Sequence, residues 1–127
     1  MKKITLFVSI ILVSMFIGWQ IFLRDLELDG KAKLNWNTSV EENVTGYKIY
    51  YGTLKRTEDC PRAGYAKKIE AGNNTSYEIK NLKDGQTYYF SVTSVNSAGK
   101  ESCFSEEMSK EIRISLQDKI KSLLNRL

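Results

Sequence analysis

After the Asp84-Gly85 turn, residues 87–96 read TYYFSVTSVN, an alternation that leaves few structural options. Side chains two apart share one face of an extended chain, so Tyr88, Phe90, Val92 and Ser94 fall together, opposite Tyr89, Ser91, Thr93 and Val95. Aromatic and β-branched residues at these positions suit a pleated surface. A strand of this kind needs partners on both edges and a core against one face.

The rest of the chain supplies such partners as short alternating segments between turn residues. In LELDGKAKLNW, Leu26/Leu28 and Ala32/Leu34/Trp36 flank Asp29-Gly30, which reads as a hairpin turn. GYKIYYG places Tyr47, Ile49 and Tyr51 on one face, with Lys48 and Tyr50 on the other. YAKKIEAG is a weaker strand, AGNN a turn, and TSYEIKNL carries Tyr77, Ile79 and Leu82. SAGKES is a polar loop, and CFSEEMSKEIRI supplies the last strand. Seven short strands at this spacing predict an all-β fold, a sandwich of two antiparallel sheets.

The ordered set of LNW (Leu34, Trp36), GYKIYYG (46–52), TSYEI (75–79), Leu82…Gly85…YYFSVTSVN (88–96) and AGKES (98–102) resembles the fibronectin type III domain, in the form common in bacterial exported proteins. The resemblance covers about residues 26–114. It implies a seven-stranded immunoglobulin-like sandwich with Leu34, Trp36, Tyr47, Ile49, Tyr51, Tyr77, Ile79, Phe90 and Val92 in its core. Leu82, Gly85 and Tyr88 are similar to the tyrosine corner, whose hydroxyl ties back to the preceding loop. Asp84 stands where the family usually has proline, and the segment TLKRTEDCPRAGY is long for its position.

The N-terminus reads as an address. Lys2 and Lys3 precede Ile4–Leu23, 20 residues without a charge, which is long enough to cross a bilayer as a helix. No pair of small residues marks a cleavage site at the end of the run, so an uncleaved signal anchor is expected; a cleaved signal peptide is the alternative. Lys2/Lys3 against Asp25, Glu27 and Asp29 orient residues 1–3 to the cytoplasm and residues 24–114 outside, periplasmic or extracellular, or secreted if the run is cleaved.

Chemistry has little to work with. There is no histidine, and two cysteines cannot alone hold a structural zinc, so neither a catalytic residue nor a metal site nor a cofactor is expected. Glu41-Glu42, Glu58-Asp59 and Glu106-Glu107 read as solvated or oppositely pointing neighbours. Two units of the net charge of +4 belong to Lys2 and Lys3, and no basic stripe remains for nucleic acid.

Three features bear on function. Tyr50 and Tyr89, with Lys48 and Ser91, face outward and form either a cross-strand pair or a ligand surface. Cys60 and Cys103 are candidates for a disulfide: an oxidising compartment favours the bridge, whereas the resembling fold places them near opposite poles unless the 52–65 segment closes the gap. Residues 115–127 predict an amphipathic helix with Leu116, Ile120, Leu123, Leu124 and Leu127 on one face. That face packs on its own sandwich, on a partner, or on a membrane. In the resembling fold the chain ends lie at opposite poles, which puts the 37–45 and 97–102 loops toward the bilayer and the tail away from it. The expectation is a non-catalytic, membrane-anchored module for protein–protein binding or scaffolding, its partner unknown. The alternative is a carbohydrate- or surface-binding adhesin module.

Overall fold

The computed structural model describes residues 13–16, 29–61 and 64–125. Six strands occur among them: β1 (Asp29–Asn35), β2 (Val44–Gly52), β3 (Lys67–Gly72), β4 (Ser76–Lys83), β5 (Thr87–Asn96) and β6 (Met108–Glu111). A helix, α1 (Leu116–Leu124), follows. The strands form two antiparallel sheets, β1-β4 and β3-β2-β5-β6. Asp29–Ser115 is one compact unit; residues 1–28 and 116–127 are grouped separately.

The core lies between the inner faces of the two sheets. Ala32, Ile79 and Leu82 come from the small sheet, and Tyr47, Ile49, Tyr51, Ala71, Tyr88 and Phe90 from the large one. Leu34, Trp36, Tyr77 and Val92 pack on the same cluster but stay partly exposed. Burying a side chain such as Ile49 or Phe90 contributes about 1.5–3 kcal/mol. Trp36 meets Tyr47 edge to face at 5.8 Å, and Tyr51 stacks with Phe90 at 6.1 Å.

The described strands number six rather than seven. The expected first strand, Leu26/Leu28, lies outside the described residues, as do Leu127, the cytoplasmic segment 1–3 and most of the 4–23 run. Residues 13–16 are helical, and among the described residues no helix is long and apolar enough to cross a membrane.

Asp29-Gly30 is not a turn: it opens β1, paired with Lys83 and Leu82. The register then slips between Gly30 and Ala32, where β4 carries an extra residue. Asn81, at φ 59°, takes up the left-handed conformation that this bulge needs and that asparagine tolerates. Gly30 is glycine for a steric reason, since a Cβ there would overlap Ile112 Cγ2 and crowd the Leu82 carbonyl. Ile112, immediately after β6, is a core residue that sequence reading missed.

The last strand is also shorter than expected. Only Met108–Glu111 pairs regularly with β5; Cys103 lies outside it. Upstream, extra residues break the ladder, and serine hydroxyls replace carbonyls as acceptors. Ser105 Oγ accepts from Val92 N and Ser102 Oγ from Ser94 N, each at 3.0 Å.

At the β4–β5 turn, Lys83 N donates to Tyr88 Oη at 3.2 Å. Gly85, at φ 74°, makes the turn and donates to the Ile112 carbonyl at 2.7 Å. Ile112 N donates to the Gln86 carbonyl, and Ile114 N to Asp84 Oδ1. One pole of the sandwich therefore gathers the start of β1, the β4–β5 turn and the chain leaving β6. The described sandwich begins and ends at this same pole, contrary to the expectation that its ends lie apart.

Replacing Tyr88 with Phe keeps the buried ring but leaves the Lys83 amide without its acceptor. The expected loss is about 1–2 kcal/mol in denaturant unfolding; an unchanged midpoint would contradict the role given to the hydroxyl.

Candidate functional site

The outer face of the large sheet is where the sequence places Lys48, Tyr50 and Tyr89. Register decides which of them meet: Lys48 lies opposite Thr93, Tyr50 opposite Ser91, and Tyr89 opposite Gly52. Tyr50 is therefore diagonal to Tyr89, and its ring contacts are Phe104 at 5.0 Å and Tyr65 at 6.4 Å. Tyr89 instead lies under Lys55, whose Nζ is 5.9 Å from the ring. The expected Tyr50/Tyr89 patch is thus two separate environments.

Glu101 organises the first. Its carboxylate accepts from Thr93 Oγ1 at 2.6 Å, Tyr50 Oη at 2.8 Å and Lys48 Nζ at 2.9 Å. The Lys48 and Glu101 side chains are only 20% and 18% exposed, which strengthens the pair relative to one in open solvent. Burial alone pushes the Glu101 carboxyl up; the three hydrogen bonds outweigh it and hold the group below the ordinary 4.5. The bond to Glu101 raises Lys48, while burial, assisted by Glu101, pushes the Tyr50 hydroxyl far above its usual range.

A second cluster adjoins it. Tyr65 Oη donates to Glu107 Oε1 at 2.6 Å and lies 2.8 Å from Ser91 Oγ. Arg56 N also donates to Glu107, and Arg56 Nη1 to the Ser105 carbonyl. Burial, with help from Glu107, pushes the Tyr65 hydroxyl up to about 12.

These partners come from residues 53–66, between β2 and β3, and 97–107, between β5 and β6. Cys60 and Cys103 form a disulfide that joins the two segments, and Phe104 N donates to the Asp59 carbonyl beside it. The cysteines can meet because neither lies in a strand: the long segment after β2 folds over the outer face to reach the edge of β5. At a sequence separation of 43, loop closure makes the bridge worth about 4 kcal/mol. Sequence reading found the cysteines and the unusual segment but missed Arg56, Tyr65, Glu101, Phe104 and Glu107. The available signal was Ser91 and Thr93, small side chains that leave room for a cover on the outer face of a central strand.

Each clustered acid, Glu101 and Glu107, accepts several hydrogen bonds. Among the described residues no group of acids and cysteines could hold a metal. An open cleft of about 490 Å³ borders the bridge, lined by Trp36, Glu41, Tyr47, Ser94, Cys103 and Phe104 among others. In it Ser94 Oγ donates to Glu41 at 2.9 Å. Leu116, Ile120, Leu123 and Leu124 of α1 are exposed.

Residues 25–111 match the fibronectin type III domain family. The chain belongs to that family. Its fold is shared with the FN1–FN3 domains of chicken CNTN1, at 25% identity and TM-score 0.52 over 68% of this chain and 28% of that one. The third fibronectin III domain of human KIAA0343 protein matches at 19% and TM-score 0.51, over 68% and 73% of the two chains. A Kelch domain-containing protein of Saccharolobus solfataricus is 41% identical over 66 residues, covering 52% of this chain and 8% of that protein. Another, from Sulfurisphaera tokodaii, is 39% identical over 61 residues, covering 46% and 7%. The chain thus spans less than a tenth of the length of these curated relatives. Fibronectin type III is a non-catalytic fold commonly used for protein binding.

Glu101→Gln is expected to cost this fibronectin type III domain about 2 kcal/mol at neutral pH, because hydrogen bonds to a charged acceptor are lost. A depressed folded-state pKa stabilises the fold above the unfolded value and ceases to do so as pH falls through the folded one. The gap between wild type and variant should therefore close below pH 4.5, the ordinary carboxyl value. Urea midpoints from pH 7 to pH 3 read this directly; a gap independent of pH would contradict it.

Proposed function

We propose that this chain is a membrane-anchored, outward-facing fibronectin type III module that binds protein. The observation that carries the reading is the uncharged run Ile4–Leu23, with Lys2 and Lys3 ahead of it, placed directly before a binding fold. The Cys60–Cys103 disulfide supports it independently, because such bridges persist mainly outside the reducing cytosol. Residues 1–3 would lie in the cytoplasm and the sandwich in the periplasm or outside the cell. The role is scaffolding or recognition at the membrane surface.

The carbohydrate-binding alternative rested on Tyr50 and Tyr89 as one aromatic platform. With Tyr50 held by Glu101, Tyr65 and Phe104, that platform is reduced to Tyr89, and the protein-binding reading is the stronger. Alkaline carbonate extraction of membranes expressing the full chain, with protease added to intact spheroplasts, tests the anchor. The chain should stay in the membrane pellet while its sandwich is reached by external protease. Recovery in the carbonate supernatant or the medium would refute the anchor, and full protection from protease would refute the orientation. Crosslinking in the same membranes should capture a protein partner, and capture unchanged after deletion of residues 29–115 would refute the module's role.

A further inference from the structure

We propose that the cleft beside the Cys60–Cys103 bridge receives an arginine side chain of a protein partner. The inference rests on the protein-binding reading above and deepens it by naming what the module would grasp.

The cleft exists because the last strand pairs over only part of β5. Regular pairing with β6 covers Thr87–Phe90. Beyond it, the chain hangs on β5 through isolated hydrogen bonds: Ser105 N donates to the Val92 carbonyl and Ser102 N to the Ser94 carbonyl. Between them, Cys103 is drawn off to Cys60. An opening of about 490 Å³ is left along Val92 and Ser94, lined also by Trp36, Tyr47 and Phe104. That volume is in the range of sites that enclose a ligand group.

The charge of the cleft is one-sided. Among the described residues that line it, Glu41 is the one acid and none is a base. The fold holds this carboxylate in place. Ser94 Oγ, on a side chain buried in the sandwich, donates to Glu41 Oε2 at 2.9 Å. Glu41 N donates to Ser39 Oγ at 3.2 Å, and Ser39 N to Tyr47 Oη at 2.9 Å. These bonds leave Oε1 unused, and among the described residues no lysine or arginine pairs with Glu41. The basic group nearest the Phe104 ring, Arg56 at 5.5 Å, is already engaged by the Ser105 carbonyl and by Asp59.

A fixed carboxylate beside aromatic rings suits a cation, because ring and acid attract it together. Trp36 stays partly exposed, so its ring can be reached from the cleft. Arginine fits such a site better than lysine. Its guanidinium is planar, stacks on rings, sheds water more readily than an ammonium, and still donates to a carboxylate oxygen.

The test uses the full chain in micelles of an uncharged maltoside detergent, with Trp19→Phe so that Trp36 is the remaining indole. Two probes are titrated: acetyl-Gly-Gly-Arg-Gly-Gly-amide, and the same peptide with citrulline, the neutral isostere, in place of arginine. A saturable change in Trp36 emission with the arginine peptide, and binding severalfold weaker with citrulline, is the expected result. Glu41→Gln keeps an acceptor for Ser94 and should remove that difference. Glu42→Gln, at the exposed neighbouring acid outside the cleft, should leave it. Equal responses to the two peptides, or equal losses in the two variants, would overturn the inference. The membrane crosslinking described above tests the partner separately. Capture should fall severalfold in Glu41→Gln and be competed by the arginine peptide. Capture unchanged in Glu41→Gln would overturn the role of the cleft while the binding module stands. Absence of capture by the wild-type chain would overturn the module reading, and this inference with it.

Discussion

β5 is buried on both faces, and much of the domain is arranged to permit it. Tyr88 and Phe90 point into the space between the sheets, while Ser91 and Thr93, on the other side, are also almost fully covered. A central strand with one solvated face would need nothing more than its neighbours. Here the outer face carries hydroxyls that must find partners once covered. Glu101 and Tyr65 provide them, and the Cys60–Cys103 disulfide joins the segments that bring those side chains in. The two segments are long and poor in regular structure. Cross-bridging them limits the conformations available before folding, which offsets part of the entropy of ordering them.

The inner half of this arrangement was legible in the sequence. The alternation through Tyr88, Phe90 and Val92, the matching one through Tyr47, Ile49 and Tyr51, and the turn at Gly85 depend on local periodicity and backbone chemistry. The family resemblance then supplied the two-sheet order. The outer half was not legible, because its contacts join residues far apart in the chain: Glu101 lies 53 positions from Lys48 and 51 from Tyr50. Nothing local marks such a pair. Asp29-Gly30 misled for a related reason. It carries the chemistry of a hairpin turn, but its glycine answers a distant side chain, Ile112, and so sits within a strand.

The same geometry shapes the functional reading. Closing the outer face removes Tyr50 and Lys48 from the surface available to a ligand and makes them part of the domain's own framework. What remains for recognition is the rim around Tyr89 and Lys55, the cleft beside the bridge, and the exposed stripe of α1. At the pole opposite the Asp84–Gln86 turn, Ser97 N donates to the Asn43 carbonyl at 3.0 Å.

The closed outer face is the claim on which this account turns, and solution NMR of the oxidised sandwich tests it most directly. Nuclear Overhauser effects should link the ring protons of Tyr65 with those of Phe104, whose centroids are 5.4 Å apart, and those of Tyr50 with Phe104, at 5.0 Å. Those cross-peaks, present with the Cys60–Cys103 bridge intact and weakened on its reduction, are the predicted result. Their absence from the oxidised protein, with Tyr50 and Tyr65 rings showing only solvent contacts, would contradict it.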